Sequence, residues 1–190
     1  MTTDSPIQMA KKAIARVFGK GREIKAPANG RTASVLSNGV TLCSVTHNGG
    51  TSYTAEVTFA APGHDLMSVT GTLGTAQHYE DIMIPIYHAK SRANILINIM
   101  NNMKNTKQIN AVDGACFSFE TEAYDESKVI VSLIKGYDDF EFSVEGEQAC
   151  SLYDDIHDYA GLSSCRIVEH NGDDDEYNAT RIVFSASVYR

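Results

Sequence analysis

Val40-Thr41-Leu42-Cys43-Ser44-Val45-Thr46-His47-Asn48-Gly49-Gly50-Thr51-Ser52-Tyr53-Thr54-Ala55-Glu56-Val57-Thr58-Phe59 is the stretch that decides the fold. Its second half alternates strictly. Tyr53, Ala55, Val57 and Phe59 fall on one face of a strand and Thr54, Glu56 and Thr58 on the other, the period of two that a half-buried strand requires. Asn38-Gly39 just before the stretch and Asn48-Gly49 within it are two-residue hairpin signals, because a type I′ turn needs positive φ at both central positions. Strands over 32–37, 40–47 and 51–60 follow, arranged as a meander.

Beyond Pro62-Gly63 the same reading gives strands over 66–72 and 82–87, the second from the alternation of Ile82, Ile84 and Ile86. Phe117, Phe119 and Thr121 share a face opposite Cys116, Ser118 and Glu120. Val129, Val131 and Leu133 alternate along the next strand, and Phe140, Phe142 and Val144 along the one after. A closing hairpin has arms near 164–170 and 178–189; its last strand is regular enough to be tied into the sheet.

Helical signals are fewer. Ser5-Pro6-Ile7-Gln8 puts Ser at the N-cap, Pro at the first helical position and Gln where a capping box wants it, and Gly19 ends the helix. Ile7, Ala10, Ile14, Val17 and Phe18 form its apolar stripe. Residues 89–104 carry a wide apolar arc, Ile95, Leu96, Ile99 and Met103 with Ile97 and Met100 beside it, and 147–160 ends at Gly161. The expected fold is α+β: one domain over 1–190, mostly antiparallel sheet of about eight to ten strands in meanders and hairpins, with three helices near 6–18, 89–104 and 147–160.

Charge is distributed unevenly over the 190 residues, whose net is −8. Residues 1–31 carry seven bases, Lys11, Lys12, Arg16, Lys20, Arg22, Lys25 and Arg31, against two acids. Residues 32–109 carry four of each sign, and residues 110–190 carry eighteen acids against five bases. Seven cations in the first segment form a candidate binding surface, and Asp173-Asp174-Asp175-Glu176, in the tip of the last hairpin, a candidate acidic one. That acidic run lacks the alternating ligands, the glycine and the distant Glu of an EF-hand, so no metal site is expected.

The remaining chemistry-bearing residues lack partners of the right kind. Cys43, Cys116, Cys150 and Cys165 have no Cys-x-x-Cys spacing and read as reduced thiols, with no structural zinc. His47-Asn48-Gly49 and His170-Asn171-Gly172 read as turns. His64-Asp65, and His78 before Glu80-Asp81, are the raw material of a hydrolytic site, while His88 reads as a strand end. Cys150, Asp154 and His157 share one helix face, whereas a thiol nucleophile and its base normally converge from different elements. Gly71-Thr72-Leu73-Gly74-Thr75 and Gly19-Lys20-Gly21-Arg22 complete no phosphate-binding fingerprint, so no cofactor and no catalytic residue is assigned.

The apolar runs fall short of the roughly 20 residues that cross a bilayer, and the N-terminus lacks the order of a secretory signal. The expected location is the cytoplasm, a reducing compartment, with a virion as the alternative. Opposite charges at the two ends of one chain favour head-to-tail contacts with copies of itself or contacts with a basic protein. The expected function is therefore non-enzymatic binding or assembly, as a structural subunit or accessory factor. Two alternatives rank behind it: a single-stranded nucleic-acid-binding protein stacking bases on Tyr53, Phe59, Phe117 and Phe119, and a small hydrolase using His64 or His78.

Overall fold

Asn38 and Gly39 take φ of +49° and +81°, and this turn joins the first two long strands of an antiparallel meander. In the computed structural model the described residues are 4–19, 21–61, 63–111, 115–122, 128–134, 139–145, 165–170 and 181–187. They form two helices and eleven strands, grouped in two compact units. One unit comprises residues 1–60 and 66–93; the other comprises 61–65 and 94–190.

The first unit begins with α1 (Pro6–Phe18) and continues through β1 (Glu23–Lys25), β2 (Thr32–Ser37), β3 (Val40–Gly49), β4 (Ser52–Phe59) and β5 (Met67–Leu73). The strands lie in sequence order in one antiparallel sheet. Register aligns the small and branched apolar residues. Ala33 faces Val45 and Val45 faces Ala55; Val35 faces Cys43 and Cys43 faces Val57. Val57 then faces Val69, and Phe59 faces Met67. All of these are buried, as is Tyr53. The alternation of β4 thus has the expected phase.

The opposite face carries hydroxyls in register: Thr32 faces Thr46, Thr46 faces Thr54, and Thr54 faces Thr72. The Thr32 and Thr46 oxygens are 2.9 Å apart. Cross-strand hydroxyl pairs of this kind stabilise a half-exposed sheet face.

Helix α1 seats Ile7, Ala10, Ala13 and Ile14 in the core and packs on β2 and β3. Val17 and Phe18, expected in the buried stripe, are only half-buried, and Lys90 lies over the Phe18 ring at 5.1 Å from its centroid. The Ser5 hydroxyl makes no cap bond; the first turn is closed instead by the Ser5 carbonyl, which accepts from Gln8 and Met9 N–H groups at 2.9 and 3.0 Å.

Helix α2 (Tyr79–Asn102) corrects two expectations at once. It starts ten residues before the expected 89–104 helix and absorbs the segment 82–87 that reads as a strand. Ile82 and Ile86 satisfy a period of two and a period of 3.6 equally well. Ile84 breaks the tie. It is among the exposed large hydrophobics, while Ile82, Ile86 and Ala89 are fully buried, which is helical spacing. His88, expected at a strand end, is instead buried in mid-helix. Residues 79–93 of α2 belong to the first unit and residues 94–102 to the second. No described helix is long and apolar enough to cross a membrane.

The second hairpin is also displaced from its expected position. The strands pair as His47 with Tyr53 and Gly49 with Ser52, so the loop is Gly50-Thr51 rather than Asn48-Gly49. Gly50 has φ +57° and Thr51 is not left-handed, the pattern of a turn with glycine first. Asn48 instead donates through Nδ2 to Thr54 Oγ1 at 2.9 Å.

In the second unit, Ile95, Leu96, Ile99 and Met100 of α2 are buried. The chain then forms β6 (Lys104–Ile109), β7 (Ala115–Glu122), β8 (Lys128–Ile134), β9 (Asp139–Glu145), β10 (Cys165–His170) and β11 (Arg181–Ser187), ordered β10-β11-β9-β8-β7-β6 and antiparallel throughout. Phe117 faces Leu133, Phe119 faces Val131 and Thr121 faces Val129, all buried. The final strand is tied in between β9 and β10. Strand β6 has no counterpart in the sequence reading. It is polar and lies at the sheet edge, where Lys107 and a bulge between Lys104 and Lys107 guard against edge pairing. The expected helix at 147–160 lies outside the described residues.

Gly71 of β5 fixes how α2 meets the first sheet. A Cβ there would collide with the Pro85 carbonyl oxygen and press on the His88 side chain at 3.1 Å. Gly71→Ala is therefore expected to cost about 1–3 kcal/mol in urea denaturation, as overpacking does. Gly74→Ala, which meets nothing within 4 Å, is expected to stay within about 0.5 kcal/mol of wild type. Equal stability of the two variants would contradict this packing.

Candidate binding surface

Lys11, Lys12, Arg16, Arg22, Lys25 and Arg31 are all exposed in the first unit; the first three are so because α1 turns its apolar stripe to the sheet and its cations to solvent. Lys20 and the acidic run Asp173, Asp174, Asp175 and Glu176 lie outside the described residues. Two of the cations converge. Lys12 and Arg16, one helical turn apart, line a groove of about 560 Å³ with Ala15, Gly19 and Tyr79. Lys11, Arg22, Lys25 and Arg31 are not part of it. Lys25 lies 3.7 Å from the Glu23 carboxylate in an exposed pair.

Electrostatics within the groove are mixed. Lys12 Nζ donates to Asp4 Oδ2 at 2.6 Å, with both side chains substantially exposed. Arg16 has no carboxylate within 4 Å among the described residues. The neighbouring Glu80 carboxylate raises the pKa of the Tyr79 phenol; Arg16 and Lys12 pull in the opposite direction. Two N–H groups just before α2 are already occupied: Asp81 Oδ2 accepts from Gln77 and His78 N–H at 2.8 and 2.9 Å. Those two bonds hold the Asp81 carboxyl below the usual carboxylate range. An anion entering the groove would therefore meet side chains rather than these backbone amides.

Tyr79 is not legible in the sequence as part of this surface, because the apolar arc of 89–104 hides that α2 begins ten residues earlier. A signal was present. Glu80-Asp81 supplies the first-turn acids that suit a helix start, and Asp81 is three residues after the cap position His78.

The histidine groupings expected for a hydrolase are otherwise engaged. His64 Nε2 is 2.9 Å from Thr106 Oγ1, and His64 makes no ion pair with a carboxylate among the described residues. The acid near His78 serves the helix cap. His47 Nε2 contacts the Gly50 carbonyl at 3.0 Å and its ring sits 5.1 Å from that of Tyr53. Among the described residues no group of three His, Cys, Asp or Glu side chains is placed to hold a metal ion. Tyr53, Phe59, Phe117 and Phe119, the aromatics offered as base-stacking platforms, are all buried core residues. Cys43 is a free, buried thiol, and burial above all pushes its pKa up to about 12.

Comparison with protein-family models, with characterised proteins and with solved structures gave no match.

Two outcomes test this local chemistry. Asp81→Asn keeps an acceptor but removes the charge, and is expected to cost about 0.3–1 kcal/mol at pH 7, the usual value of a carboxylate in the first turn of a helix. A carboxyl with a lower pKa folded than unfolded contributes its stability above the unfolded value, near 3.8, and loses it as pH falls through the folded value. The gap between Asp81→Asn and wild type should thus close in thermal melts taken progressively below pH 3.8. Cys43 should remain unalkylated by iodoacetamide at pH 8 in the native protein and react in urea, as read by peptide mass spectrometry, since only the thiolate attacks.

Proposed function

We propose that this chain is a non-enzymatic binding or assembly protein that uses oppositely charged surfaces, with a second copy of itself as the foremost partner. One observation carries this reading: the charge asymmetry of the sequence follows the two compact units. Residues 1–60 and 66–93 hold nine bases and five acids, a net of +4; residues 61–65 and 94–190 hold seven bases and nineteen acids, a net of −12. Helix α1 supports it further, because it packs on the sheet of its own unit and leaves its three cations, Lys11, Lys12 and Arg16, exposed.

Complementary patches on one molecule favour heterologous contacts, which close into rings or continue as filaments. A basic protein would satisfy the acidic unit by the same physics, and a nucleic acid the cationic one. Burial of the sheet aromatics leaves nucleic acid with phosphate contacts and without the stacking platforms first assigned to it.

Light scattering after size exclusion tests the assembly. Oligomers are expected at about 0.1 M salt and monomers at about 1 M, where the screening length falls from about 10 Å to about 3 Å. A single monomeric mass at every concentration and ionic strength would sink the proposal.

A further inference from the structure

We infer that the groove lined by Lys12, Ala15, Arg16, Gly19 and Tyr79 receives the acidic run Asp173-Asp174-Asp175-Glu176 of a second copy, with Arg16 as its anchor. This inference rests on the assembly reading above and names the contact that carries it.

Arg16 is suited to the role by chemistry and position. Its planar guanidinium binds a carboxylate through two parallel hydrogen bonds, which a lysine does not reproduce. It is exposed, has no carboxylate within 4 Å among the described residues, and stands beside a tyrosine. Arginine and tyrosine are among the residues that dominate binding energy at protein interfaces. Ala15 and Gly19 add little bulk to the groove, and a Cβ at Gly19 would meet nothing within 4 Å, so a peptide backbone has room to approach.

The remaining groups define what must be exchanged on binding. Lys12 is held by Asp4, but that pair is exposed at both side chains, and an exposed pair is weak enough for an incoming carboxylate to displace Asp4. Glu80, next to Tyr79 in the chain, is the carboxylate that acts most strongly on that phenol. Charge complementarity selects the occupant: the second unit carries −12, and four consecutive acids form its densest carboxylate run.

Fluorescence anisotropy with full-length protein and a labelled peptide spanning residues 168–179 tests the assignment. The acidic peptide should bind, and its Asn/Gln counterpart should bind at least about tenfold more weakly. Arg16→Glu should weaken the acidic peptide by at least about tenfold, while Lys25→Glu, outside the groove, should change it by no more than about twofold. Circular dichroism should show both exposed-site variants folded as wild type. Equal weakening by Arg16→Glu and Lys25→Glu would reduce the effect to general electrostatics and overturn the groove. An oligonucleotide that binds through Arg16 where the peptide does not would overturn it in favour of phosphate. Salt-dependent assembly left intact by Arg16→Glu overturns the groove while the charge reading stands. A monomer at every ionic strength would overturn the second copy as occupant, even where the peptide still binds through Arg16.

Discussion

Gly71 lets the backbone of α2 occupy space that any side chain on β5 would need. The Pro85 carbonyl lies where a Cβ would be, so α2 sits directly on the edge strand of the first sheet, and Arg92 donates to the Thr70 carbonyl at 2.6 Å about two turns further on. Much follows from that contact. It buries Ile82, Ile86 and Ala89, and it brings the start of α2 beside the end of α1. The groove with Lys12, Arg16 and Tyr79 exists because two helices share one sheet face, and Lys90 over Phe18 is a second link between them.

The cations of the first segment stay in solvent for a complementary reason. Helix α1 uses small and branched residues, Ile7, Ala10, Ala13 and Ile14, to lie close on β2 and β3, which fixes its rotation about its own axis. With that rotation set, Lys11, Lys12 and Arg16 have only the outer surface available. Packing of the apolar stripe thus decides the electrostatics of this unit.

Legibility in the sequence depended on whether one period explained a segment or two did. The first meander was readable because Tyr53 through Phe59 alternates and Asn38-Gly39 supplies the backbone geometry its turn needs. Segment 82–87 was misread because Ile82 and Ile86 fit strand and helix alike, and the exposure of Ile84 depends on what packs nearby. Asn48-Gly49 was a good local turn signal, yet register across β3 and β4 moved the loop to Gly50-Thr51, with Asn48 bonded to Thr54. Of the candidate site, the cations were legible individually. Their convergence on Tyr79 was not, since that residue is more than sixty positions from Arg16 along the chain.

The sequence by itself determined the alternating strands, the placement of basic residues at one end and acidic residues at the other, and the absence of a helix-length apolar run, because each is a property of neighbours along the chain. Tertiary structure alone decided that α2 begins at Tyr79, that the sheet aromatics are buried, and that Arg16 stands in a groove with Tyr79 and Lys12. Those outcomes depend on which apolar faces meet in space, and a contact such as Pro85 on Gly71 joins residues whose local patterns carry no record of one another.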